Sequence, residues 1–307
     1  MLSFPDPNGF LGSIRMRRTA LAPDVPLLVV EGVTDQRALR PHLAPNTRIV
    51  PANGKTEVVR VFDGLGRRHR QGVLFIVDCD NEIEDRLKGH SEFVISANMD
   101  IDADLVFELS ALDRVATECL ADRLLDGDEL RVATSELLIG ATELSIGVTV
   151  VQQAARRRRL PTKVVSDMGG RREFRVRDLS DELLDEIGSG DSFVRKLAAD
   201  MANLIEWSDR ELRLITAEAV DMYGKPCGPH GIDHCIECHR RSSCRGHTLV
   251  QAISVVLKKR HNVSIGVPVL ESLLRTGADR RRLEGWEVAR RIRRWEDVSG
   301  YKVLAAE

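Results

Sequence analysis

Two short runs, Leu27-Leu28-Val29-Val30 and Val73-Leu74-Phe75-Ile76-Val77, are apolar at every position. A strand with one wet face alternates apolar and polar residues, so an unbroken run of this length belongs to a strand covered on both faces. The sequence between the runs supplies the connections. A helix is expected over Asp35 to Leu43, stopped near Pro45, and a short strand over Arg48 to Pro51. Gly54 opens the next helix, with Val58, Val61, Phe62 and Leu65 at the spacing of one helical face. Gly72 ends that unit, and Phe93-Val94-Ile95 reads as a fourth strand. Strands separated by single helices imply an α/β fold with a parallel, Rossmann-like sheet. Right-handed crossovers then set the carboxyl ends of all strands on one edge, where such sheets place their sites. The two most apolar strands end there at Glu31 and Asp78.

After residue 105 the pattern turns helical. Helices are expected over Leu105–Leu125, Leu130–Leu138 and Val150–Arg158, with a short strand at Phe174–Val176. Further helices follow over Asp181–Ile187, Phe193–Ile205, Thr248–Lys259, Leu270–Arg275 and Trp286–Trp295. Ser208 and Glu211 form a capping box that opens another, running through Met222. The resulting organisation is an N-terminal arm (1–26), an α/β domain (27–110), a helical region (111–225), a Cys/His loop (226–247) and C-terminal helices (248–307). Trp286, Val288, Ile292 and Trp295 form an apolar stripe that docks either on the α/β domain or on a partner. No apolar stretch reaches the length of a membrane span and the start of the chain has no secretory h-region, so a cytoplasmic protein with no membrane association is expected.

The 45 basic and 47 acidic residues argue against a uniformly basic nucleic-acid binder, but not against local patches. Basic runs stand at Arg67-Arg68-His69-Arg70, Arg156–Arg159, Arg240-Arg241, Arg280–Arg282 and Arg290–Arg294. Each reads as a solvated face unless several converge. Aromatic residues, at 4%, are too sparse for a single-strand stacking platform.

Acids cluster where the sheet edge is expected: Glu31 with Asp35, Asp78 with Asp80, and Asp100, Asp102 and Asp104. Converging carboxylates suit a hard cation such as Mg²⁺ or Mn²⁺. Asp35, Asp100 and Asp102 read equally well as turn residues or helix caps. Asn53-Gly54-Lys55-Thr56 imitates the end of a phosphate-binding loop, but the first glycine of that motif would fall at Ile49, which excludes it.

The stretches VVEGVTD, PANGK and FIVDCDN resemble the TOPRIM domain, with a Glu after the first strand and a DxD after the third. The EGxxD spacing is closer to OLD-type nucleases than to topoisomerases. The first hundred or so residues also resemble a bacterial TOPRIM family, some members of which act as phage-defence nucleases beside an ABC-type ATPase. The resemblance implies catalytic and metal-organising roles for Glu31, metal binding by Asp78 and Asp80, and support from Asp35. Lys55 and Asp104 match more loosely.

Cys227, Cys235, Cys238 and Cys244 lie in one loop around a CxxC knuckle, beside His230, His234, His239 and His247. Structural Zn²⁺ is the expected occupant. An iron–sulfur cluster, a redox switch or a thiol-rich loop without metal stay open at this level. The whole reads as a divalent-metal-dependent nuclease acting on DNA or RNA. The resemblance extends this to an antiviral effector with an ABC-type ATPase partner. The alternatives are a TOPRIM protein for RNA processing or recombination, and a non-catalytic regulator with a vestigial site. Oligomeric state is left open, a homo-oligomer included.

Overall fold

The computed structural model describes residues 7–79, 85–121, 123, 126–165, 170–224 and 244–305. The chain divides into two compact units, one formed by Met1–Ala111 with Ala278–Glu307 and the other by Leu112–Gly277.

The first unit holds a four-stranded sheet, β1 (Leu27–Val30), β2 (Arg48–Pro51), β3 (Val73–Val77) and β4 (Phe93–Ile95), in the order β2-β1-β3-β4. All three pairings are parallel, with Leu27 opposite both Arg48 and Val73. The helices of this unit are α1 (Pro7–Ala20), α2 (Val33–Leu39), α3 (Lys55–Gly64), α4 (Arg67–Arg70), α5 (Asp85–Lys88) and α6 (Ile101–Phe107), with a last helix at Glu287–Ser299. Strands β1 and β3 are buried at every position, as their composition requires. Alternate side chains serve opposite faces. Leu27, Val29, Val73, Phe75 and Val77 pack with Ile14 of α1 and Val58, Val61 and Phe62 of α3. Strand order reverses at β1, so right-handed crossovers send α2 and α3 to opposite faces.

Residues 278–305 belong to this first unit. Trp286, Val288, Ala289 and Ile292 are fully buried, and Trp295 nearly so at 3% exposure. The stripe therefore packs within the chain's own α/β unit. Beyond the helix, Ala44 N–H donates to the Val303 carbonyl (2.7 Å) and Ala305 N–H to the His42 carbonyl (3.0 Å). The buried Glu296 carboxylate accepts from the N–H groups of Val303 (2.6 Å) and Leu304 (2.8 Å), fastening the turn that follows its helix.

The second unit is helical, with a two-stranded antiparallel hairpin, Lys163–Val165 against Arg171–Glu173. Here several boundaries differ from those expected. The helices expected at Leu130–Leu138 and Val150–Arg158 are one helix of 31 residues, Gly127–Arg157. Its central part is buried nearly all round, which erases the polar interruptions that mark a helix boundary. Gly147 is a point of close approach within it, because an added Cβ would come within 2.6 Å of the Phe193 ring on the helix Asp191–Ile205. The helix is long and apolar enough to cross a membrane by length and composition, and 67% of its most apolar window is buried within the fold. The expected Leu105–Leu125 helix is two helices, Ile101–Phe107 and Ala111–Leu120, broken where Ser110 takes a φ of 50°. The strand expected at Phe174–Val176 is replaced by the hairpin before it and a 3-10 turn, Val176–Asp178, whose backbone is tied by Asp178 accepting from Arg175 N–H (2.9 Å).

Candidate functional site

The carboxyl edge of the sheet is shaped by backbone geometry before any acid is considered. Ala52 N–H donates to the Val30 carbonyl (2.7 Å) and Gly54 N–H to the Glu31 carbonyl (3.0 Å), so the β2–α3 turn is laced to the end of β1. Gly54 makes this turn at φ 96°, a left-handed conformation that a side chain disfavours. Lys55 follows as the first residue of α3, with its Nζ buried.

Glu31 and Asp78 stand at the ends of neighbouring strands, as expected. One Glu31 carboxylate oxygen accepts the Asp78 backbone N–H at 2.8 Å. Asp78 Oδ1 accepts the N–H of Ile101, the first residue of α6, at 3.3 Å. Both side chains are half-buried. Each carboxylate is thus aimed by an amide whose position the sheet or a helix start determines. Cys79 N–H continues this ordering by donating to Ser96 Oγ (2.9 Å), which itself donates to the Asn98 carbonyl (2.7 Å).

Asp35 lies one helical turn into α2 and accepts the Gly32 N–H at 2.8 Å. It reaches back over the helix start in the manner of a capping residue, satisfying an amide with no intrahelical partner. Asp100 caps α6, its Oδ1 accepting from Ala103 N–H at 2.9 Å.

Asp104 sits elsewhere and has a different task. It is completely buried, and its two oxygens accept from Ala97 N–H (3.1 Å), Asn98 N–H (2.7 Å), Asn98 Nδ2 (2.8 Å) and Trp286 Nε1 (3.0 Å). Burial pushes its pKa up to about 6, against these hydrogen bonds, which favour the ion. This carboxylate braces the loop after β4 against the segment that carries Trp286. A ligand role at the sheet edge does not fit a side chain with no exposed surface. Asn98, Trp286 and Ser96, which sequence reasoning does not connect to the site, are the residues that hold its surroundings. The one signal for them is the position of Asp104 among Ile101, Ala103, Leu105 and Val106, an apolar setting that marks a buried acid.

Asp80 lies outside the described residues, as do Cys227, Cys235 and Cys238. Among the described residues no group of three or more His, Cys, Asp or Glu side chains is arranged to hold a metal ion. Cys244 is buried in the second unit, with its Sγ 3.3 Å from Ser145 Oγ. Cys79 and Cys119 are half-buried, and desolvation raises the Cys119 thiol pKa, as for an unreactive side chain. Comparison with protein-family models, with curated proteins and with solved structures finds no match for this chain.

Proposed function

We propose that this protein is a divalent-metal-dependent nuclease of the TOPRIM type that hydrolyses phosphodiester bonds in DNA or RNA. The observation that carries the reading is the pair Glu31 and Asp78, each the first residue past the end of one of two adjacent parallel strands and each oriented by a backbone amide. The donor chemistry fits a hard cation, since Mg²⁺ is commonly held by one or two carboxylates together with water and substrate phosphate. Glu31 and Asp78 are the ligands we assign, with Asp80 as the third. A bound Mg²⁺ or Mn²⁺ would supply charge neutralisation on the phosphate and a lowered pKa for the attacking water. The chain's own part is geometric. The Asp78 N–H holds Glu31, the start of α6 holds Asp78, and the Gly32–Asp35 cap fixes the turn between strand and helix. Asp35 is assigned a supporting role through that cap, and Lys55, whose Nζ is buried at the start of α3, is assigned no contact with substrate.

In the second unit, we assign structural Zn²⁺ to Cys227, Cys235, Cys238 and Cys244. Elemental analysis of protein purified without added metal tests it, with about one zinc per chain expected.

Glu31→Gln preserves an acceptor for the Asp78 N–H, and Asp78→Asn one for Ile101. Both variants should fold while metal-dependent cleavage of DNA or structured RNA falls by at least about 10²-fold. Undiminished cleavage by a folded double variant would overturn the assignment. An ABC-type ATPase partner and a role in phage defence extend this reading, and cleavage assays with and without such an ATPase test them.

A further inference from the structure

At the opposite end of the sheet lies a half-open groove of about 600 Å³, bordered by Arg67, Arg70, His90, Glu92, Trp295 and Tyr301. Gly72 and Glu92, which immediately precede β3 and β4, line its floor. The groove and the carboxylate pair therefore stand at the two ends of the same strand. Five residues of β3 at about 3.3 Å each, plus the flanking positions, put them roughly 20 Å apart.

The charges around this groove are set and mostly positive. Arg70 is locked in place, with Nε donating to the Leu65 carbonyl (3.1 Å) and its guanidinium 4.5 Å from the Phe62 ring centroid. Arg18 lies against Tyr301 and donates to the carbonyls of Gln71 (2.8 Å), Val25 (2.9 Å) and Pro23 (3.0 Å) and to the Tyr301 hydroxyl (3.2 Å). These acceptors are neutral, so none of them offsets its charge. Arg67 and Arg68 are exposed. Two acids stand nearby. Glu92 faces His90 (3.9 Å), and Asp63 is clamped by Arg86 at 2.7 and 2.9 Å, which holds its carboxyl below the usual range with lesser help from Arg70 and His90. Arginine is the side chain suited to planar contact with phosphate oxygens, and rigidly placed guanidiniums lose little freedom on binding.

We propose that this groove is an anchoring site for the phosphodiester backbone of the nucleic acid whose cleavage we assign to Glu31 and Asp78. The proposal rests on that nuclease reading. An open trough with fixed cations suits an extended polyanion passing through it better than an enclosed small anion. The separation from the carboxylates corresponds to about six duplex steps at 3.4 Å per phosphate. Binding of this kind is to the backbone and carries no sequence information, so it positions the strand without selecting it.

The test is binding of a labelled duplex of mixed sequence to the full chain with metal chelated, followed across a salt titration. Arg67→Gln should weaken binding about two- to fivefold, and the salt dependence should become shallower by about 0.9 for each phosphate that the variant no longer neutralises. Glu92→Gln, which removes the groove's own acid, should tighten binding. Arg213→Gln, an exposed charge change in the second unit, is the control. Unaltered binding in the Arg67 variant, or an equal weakening in the Arg213 variant, would overturn the groove. The two readings fail separately. Cleavage without groove-dependent binding removes the anchor alone, whereas groove-dependent binding in a chain that cleaves neither alone nor with an ABC-type ATPase removes the nuclease and leaves a nucleic-acid-binding groove.

Discussion

Burial sorts the carboxylates of the first unit. Glu31 and Asp78 are half-buried, each held by a backbone amide, whereas Asp104 is fully enclosed and takes four hydrogen bonds. For Asp104 the consequence for stability has a definite sign. Its folded pKa of about 6 lies above the ordinary 3.8, so the folded state binds more protons between these values. Its contribution is most favourable below pH 4 and is lost as pH rises through 6, by an amount on the order of 2–3 kcal/mol. Denaturant midpoints of wild type and Asp104→Asn, measured from pH 4 to 7, should therefore converge as pH rises, the variant being the less stable at low pH because its amide faces N–H donors. Parallel curves would show that Asp104 does not titrate there. Glu31 and Asp78 are legible in the sequence because each terminates an unbroken apolar strand. Asp104 is not, because three alternating acids resemble a ligand set, while the helical geometry that turns the third of them inward is visible only once α6 starts at Ile101.

The regular elements follow how sharply their ends are marked. Strands β1 and β3 and helix α3 match their expected spans closely, since apolar runs and glycines bound them. The helix Gly127–Arg157 reads as two in the sequence because a helix buried on most sides has no polar face to establish its period. In the structure Gly147 is where Phe193 and Leu197 approach the helix backbone. Helix propensity alone would have Gly147→Ala gain about 1 kcal/mol. The close approach reverses this, because the new methyl group must displace the Phe193 ring and the Leu197 side chain, at roughly 1–3 kcal/mol for overpacking. Thermal or chemical denaturation should show Gly147→Ala neutral to destabilised by about 2 kcal/mol. A full propensity gain would show that the two helices separate easily at this point.

At the scale of the whole molecule, the chain is a helical unit inserted into an α/β unit, since residues 278–305 return to the sheet that residues 27–95 build. This is not legible in the sequence. The stripe of Trp286, Val288, Ile292 and Trp295 indicates a buried face, but amphipathicity identifies a face without identifying what covers it. Removing residues 278–307 should leave Asp104 without its indole donor and expose the surface that Trp286 occupies. Loss of a buried Trp alone costs about 3–5 kcal/mol. Amides of β1 and β3 should then lose their protection from hydrogen exchange, while those of Gly127–Arg157 keep theirs. Retained protection in the sheet would show that the segment is dispensable.

The insertion also sets an order in time. A ribosome delivers residues 112–277 in full before it delivers Trp286, Glu296 or Val303, and domains generally fold as they emerge. The helical unit can complete itself on the nascent chain. The sheet, although its strands are made first, waits for its closing piece. A translation product that stops before residue 278 thus carries Glu31, Asp78 and Asp104 without the Trp286 indole that donates to Asp104 and without the segment that covers this face of the α/β unit.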